Sequence, residues 1–252
     1  MIRSLLFVSL APVLIIAIYV FFRDKYEKEP VGRLLLALTA GLLIVPPVIA
    51  VERFLMLFSG RVDGIFYHFY HAFVVASFTE EGFKYLAFML LIWRSRDFNE
   101  KFDGIMYAVF ISLGFAAVEN LLYVYKGGYQ VGLLRAFTAV PAHAIFGIAM
   151  GYHFGLAKFY TQERKRQLVL AFVYPFLWHG AYDFLLMAGK SIYLILFIPL
   201  IILLWMSGFK RMKRLSEISV YRMTGLGVTD TARAFSHHLN SGDDATNISD
   251  QA

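Results

Sequence analysis

No cysteine occurs in the chain, which excludes disulfide frameworks, zinc ribbons and thiol nucleophiles from the outset. Charge is scarce too: 17% of the 252 residues are Asp, Glu, Lys or Arg, whereas 59% are hydrophobic. A soluble domain carries nearer a quarter charged residues. The deficit is concentrated in runs. No charged side chain interrupts Ser4 to Phe22 or Leu34 to Val51. Each run reaches the roughly 17 to 25 residues that a helix needs to cross about 30 Å of hydrocarbon. No internal repeat is visible either, which disfavours transporters built from inverted repeats.

These features predict an all-α, polytopic transmembrane helix bundle. The apolar runs place seven spans at about 4–22, 34–51, 65–93, 104–125, 136–157, 168–187 and 191–207, or eight if the long third run hides a second helix. The first run is too long for a signal-peptide core, is followed by Arg23, Asp24 and Lys25, and reads as a retained helix. The net charge of +6 lies in the loops, a pattern of membrane topology rather than of nucleic-acid binding. Basic residues crowd the loops after the first, third, fifth and seventh spans, which predicts an outside N-terminus and a cytoplasmic C-terminus in the cell membrane. Residues 1–215 form the membrane unit. Residues 216–252 turn polar and are expected to be a disordered cytoplasmic tail, with His237 and His238 solvated.

The informative residues are the ionisable ones inside those spans. Glu80, Glu81 and Lys84 interrupt the third, Glu119 the fourth, His143 the fifth, and His179 and Asp183 the sixth. Each costs several kcal/mol at mid-bilayer, roughly 2.5 to 3.5 for a charged residue on insertion scales, unless it faces a partner or water. At a rise of about 1.5 Å per residue, all seven fall in one slab between the midplane and the outer half. Lys84 stands three and four residues from the two glutamates, and Asp183 four from His179, so each set shares a helix face. His143 begins a stripe with Gly147, Gly151 and Gly155 that lets a neighbouring helix approach closely, and Pro141 loosens the helix beside it.

Two histidines with Glu119 or Asp183 can supply three zinc ligands and leave a position for water, with Glu80 or Glu81 as general base and Lys84 holding the other carboxylate ionised. The competing readings are a structural ion-pair network, a proton relay or transporter, and a non-catalytic binding protein. Asp183 reads equally well as a residue that orients His179. His68, His71 and His153 lie outside the shared stripes and read as packing residues. Tyr123, Tyr125 and Tyr129 read as interface anchors.

The ordered motifs Glu80-Glu81-x-x-Lys84, Phe115-x-x-x-Glu119, His143 in a Gly-rich helix and His179-x-x-x-Asp183 resemble those of the PrsW family of intramembrane proteases. The acidic loop Asp24 to Pro30 is similar to that family as well, and the resemblance runs from about Asp24 to Asp183. More distantly the set is similar to the prenyl-protein (CAAX) endopeptidases and related bacteriocin-immunity proteins. The resemblance implies site-specific proteolysis of a single-pass membrane substrate such as an anti-sigma factor. It makes Glu80 and Glu81 the activators of water, and Glu119, His143 and His179 binders of metal, zinc by type, or of the oxyanion.

Overall fold

In hydrocarbon the backbone amides find no partner except one another, so every long apolar run closes as a helix. The computed structural model describes residues 2–24 and 27–217, and contains helices and loops without a strand among them. Lys25 and Tyr26 of the acidic loop, and the expected tail from residue 218 onward with His237 and His238, lie outside the described residues.

Helix α1 (Ile2–Arg23) is followed by α2 (Val31–Leu43) and α3 (Val45–Met56), which meet at Ile44 just before Pro46 and Pro47. Next, α4 (Ile65–Phe69), a π-helical stretch at Tyr70–Ser77 and α5 (Phe78–Leu91) run on with helical dihedrals at every junction. The third apolar run is thus one rod, not a hairpin. The remaining helices are α6 (Lys101–Phe137), α7 (Ala139–Phe159), α8 (Arg164–Met187) and α9 (Ser191–Glu217).

Among the described residues five stretches are long and apolar enough to cross a membrane, one of which, Lys101–Phe159, takes in both α6 and α7, while the charged rod at 65–91 is not among them. Length and apolarity therefore establish a multi-pass helical membrane protein, but not the expected count of seven or eight.

Helix α6 is the hub. It is buried continuously from Phe102 to Ala117 and packs against α1, α2 and α7. Its crossing with α7 depends on the glycine stripe. A Cβ on Gly147 would meet Ser112 and Ala108, one on Gly151 would meet Gly104, and one on Gly155 would meet Lys101. The obstacles at Gly151 are backbone atoms, among them Ile105 Cα at 2.6 Å, and cannot swing aside. Gly151→Ala should therefore lose about 1–3 kcal/mol and melt early in detergent. Gly32→Ala, with nothing within 4 Å, should melt like the parent.

At one end of the bundle the acidic loop packs against the start of α6. Asp103 accepts the N–H groups of Asn99 and Glu100 at 2.8 and 2.7 Å, capping the helix. The Tyr107 hydroxyl donates to Glu29, and Arg33 Nε donates to Asp97 at 2.5 Å. Asp24 is buried among these groups. Desolvation, with Glu100 and Glu29 adding repulsion against partial relief from Lys28 and the Glu29 backbone N–H, pushes its carboxyl up to about 7. The folded chain then holds that proton more tightly than the unfolded chain, where the carboxyl titrates near 3.8. Asp24 thus favours folding at low pH and loses that contribution as pH rises from about 4 to 7. Asp24→Asn should flatten the decline: thermal melts should coincide with the parent near pH 4 and run higher at pH 8.

Candidate active site

Glu80, Glu81 and Lys84 occupy the first turns of α5, directly after the π-helical stretch. Such stretches widen a helix and recur at functional sites. Lys84 Nζ donates to Glu81 Oε1 at 2.7 Å and to Glu80 Oε2 at 3.3 Å, and lies 3.2 Å from His143 Nδ1. The ammonium also sits 4.4 Å above the Phe115 ring. From α7, His143 Nε2 donates to Glu119 of α6 at 2.8 Å. From α8, His179 Nδ1 donates to Glu81 Oε1 at 2.9 Å, while Nε2 lies 3.2 Å from Asp183 Oδ2 and 4.0 Å from Glu80 Oε2. Phe146 stacks on His179 at 5.0 Å and fixes the plane of the ring. All seven residues singled out by depth and spacing belong to one connected network drawn from four helices.

The two glutamates are not equivalent. A cavity of about 590 Å³ is lined by Glu80, Glu119, His143, His179 and Asp183, but not by Glu81 or Lys84. Glu80 therefore meets whatever enters. Glu81 lies behind it, fully buried, gripped by Lys84 and His179 through one oxygen. The other oxygen, Glu81 Oε2, is buried with no hydrogen-bond partner.

Among the other lining residues are three that the sequence reading did not assign to the site, and His71, read there as a packing residue, lines it too. Arg135 donates to Glu119 at 2.8 Å and to Asn120 at 3.0 Å. It returns to them because α6 breaks at Gly128, which has φ 74°, a left-handed conformation that glycine adopts without strain. The Gly127-Gly128 pair was the available signal, since paired glycines mark turns. Glu52, at the end of an apolar run, lines the cavity from α3. Tyr123, read as an interface anchor, instead stacks under the Arg135 guanidinium at 4.0 Å and lines the cavity.

The donor set suits a divalent metal. Glu80, Glu81, His143 and His179 each offer a ligand atom within 4.8 Å of the others. This grouping differs from the expected one: Glu119 and Asp183 stand outside it, each against the Nε2 of a histidine. A carboxylate on the far nitrogen of a ligating imidazole is a recurrent way of orienting it. The unpartnered Glu81 oxygen is a further free donor. Lys84 Nζ already contacts three of the four residues and must give way for an ion to bind all of them.

A helical membrane protein with an acid–imidazole centre buried beside a cavity has the makings of an intramembrane hydrolase. The chain belongs to the PrsW family of intramembrane metalloproteases, whose sequence model matches residues 29–204. It is similar to Protease PrsW of Oceanobacillus iheyensis, 38% identical over 86% of this chain and 98% of that protein. Protease PrsW of Clostridioides difficile is 35% identical, over 84% of this chain and 91% of that protein. Protease PrsW of Bacillus subtilis is 31% identical, over 85% and 97% respectively. No solved structure matches the chain.

Proposed function

We propose that this intramembrane protease makes a first, site-specific cut in a single-pass membrane protein, with an anti-sigma factor as the substrate type, and that Glu80 is the general base. The observation that carries the reading is the asymmetry of the pair: Glu80 lines the cavity, and Glu81 is locked behind it by Lys84 and His179. Glu80 would take a proton from water as the oxygen attacks the scissile carbonyl, then deliver it to the departing amine as the C–N bond breaks. Glu81, His143 and His179 would hold a divalent ion, zinc by donor type, leaving Glu80 free as the base; when bound the ion polarises a carbonyl and acidifies water. Glu119 and Asp183 would orient the two imidazoles. Arg135, on Glu119, would keep that carboxylate aimed at His143.

The finer topology belongs to the same proposal. Seven crossings, with the rod at 65–91 as the third, leave the N-terminus outside and the basic loops in the cytoplasm. The catalytic slab then lies in the outer half of the bilayer, which suits a cut near the extracytoplasmic end of the substrate helix. Residues 1–215 carry the catalytic unit and 216–252 the cytoplasmic tail.

Co-expression with a doubly tagged single-pass substrate tests the reading. Wild type should yield two tagged fragments, and His179→Ala should yield none at equal protein level. Metal content of the purified protein should fall in both His143→Ala and His179→Ala. Fragments from His179→Ala at the wild-type rate would rule out the site.

A further inference from the structure

A second polar cavity, of about 480 Å³, opens between α7, α8 and α9, away from the acid–imidazole centre. Four cationic side chains line it, Arg166, Lys210, Arg211 and Arg214, against one acid, Glu163. Glu163 is already engaged by Arg166 at 3.5 Å and Gln167 at 3.0 Å. Lys210 and Arg214 are exposed and make no ion pair among the described residues. Arg211 is held in place by the Ser207 hydroxyl and by the rings of Tyr174 and Trp178, 5.1 and 4.6 Å away. A fixed guanidinium flanked by two free cations is a receptor for a compact anion.

Two features say which anion. His153 is 6% exposed, stacks on Tyr174 at 4.9 Å and donates through Nδ1 to Gln167 Oε1 at 2.7 Å. Its Nε2 is buried without a partner and, with the proton on Nδ1, offers a lone pair to a hydroxyl donor. The cavity also sits where the bundle leaves hydrocarbon. Lys210 is the first charged residue of α9 after an apolar stretch that begins at Ser191, and α8 begins with Arg164, Lys165 and Arg166. Just below that level Leu203 and Met206 are 63% and 64% exposed, as side chains against acyl chains would be. Leu156 and Leu170 supply apolar walls to the cavity itself.

The geometry points to a site for an anionic phospholipid with a hydroxyl-bearing headgroup, of the phosphatidylglycerol type. The phosphate diester lies among Lys210, Arg211 and Arg214, and a headgroup hydroxyl donates to His153 Nε2. Basic pockets between transmembrane helices at the membrane surface are known receptors for such headgroups. A soluble glycerophosphate offers the same polar groups but no acyl chain for the exposed Leu203 and Met206 in the α9 turn that precedes Ser207.

The full chain, purified in a neutral detergent, is titrated with phosphatidylglycerol, with phosphatidylcholine and with soluble glycerophosphoglycerol, and binding is read by native mass spectrometry and thermal shift. Phosphatidylglycerol should bind and raise the melting temperature, and the other two should do neither. The variant Lys210→Gln/Arg214→Gln should bind phosphatidylglycerol about tenfold or more weakly. Arg94→Gln/Arg96→Gln, an equal loss of exposed charge from another loop, should bind like wild type. His153→Phe, which keeps every cation, should weaken binding several-fold. Equal weakening by the two charge pairs would reduce the effect to general surface charge and overturn the site. Equal stabilisation by the soluble headgroup would overturn the lipid assignment, and unchanged binding by His153→Phe would overturn the hydroxyl contact.

Discussion

Glu80→Gln should reduce cleavage by about a thousandfold, since a positioned general base contributes roughly 10² to 10⁴. The amide matches the carboxylate in shape, lines the same cavity and leaves Lys84 paired with Glu81 at 2.7 Å. The variant should therefore accumulate and melt close to wild type while cutting almost nothing. Glu81→Gln should behave differently. That carboxylate is the shared acceptor of Lys84 and His179, fully buried, so its loss leaves the buried ammonium with Glu80, at 3.3 Å, as its carboxylate partner. Activity should fall with stability there, and the melting temperature separates the two effects. Cleavage rates and melts on the same preparations provide the comparison. A Glu80→Gln enzyme that cuts at even a tenth of the wild-type rate would remove Glu80 as the base.

The second large effect is expected at Lys84. Its side chain is fully buried, touches both glutamates and His143, and lies over Phe115. Lys84→Met keeps the length and apolar stem of the side chain but removes the cation, leaving two adjacent buried carboxylates without it. Breaking a buried ion pair from one side costs about 3–5 kcal/mol, so the variant should melt many degrees early. A second change tests the cause. In Lys84→Met/Glu81→Gln one of the two uncompensated carboxylates is gone and Glu80 remains, so part of the lost stability should return while cleavage stays absent. A Lys84→Met protein as stable as wild type would mean that the ammonium does not hold this centre together.

Much of the site was legible because lipid makes charge expensive. Seven ionisable residues in four apolar runs have no tolerable arrangement except one another's company, and their depths and spacings alone pick out the network. The glycine stripe likewise specified the tight α6–α7 crossing, since only the missing Cβ admits the Gly104 and Lys101 backbone. The division of labour within the network was not legible. Spacing treats Glu80 and Glu81 alike, and only the packing of α8 against the π-helical stretch sets one facing the cavity and the other facing His179. Sequence reasoning placed Glu119 and Asp183 among the ligands because they share the slab; in the structure each lies against the Nε2 of a histidine. Arg135 escaped notice for a different reason. It reads as a loop cation until the chain is seen to reverse at Gly128. The run at 65–93 is long for one crossing, and the π-helical turns within it leave no mark on hydropathy.

The most direct test of an acid–imidazole hydrolase centre in the bilayer uses purified chain and a single-pass substrate in liposomes, with nothing else present, in ¹⁸O-labelled water. Wild type should produce two fragments whose masses sum to the substrate plus one water, with ¹⁸O in the new carboxyl terminus and the cut toward the outer end of the membrane segment. Glu80→Gln, at equal amount and equal melting temperature, should leave the substrate whole. Intact substrate with both proteins, or the same two fragments with both, would contradict the account.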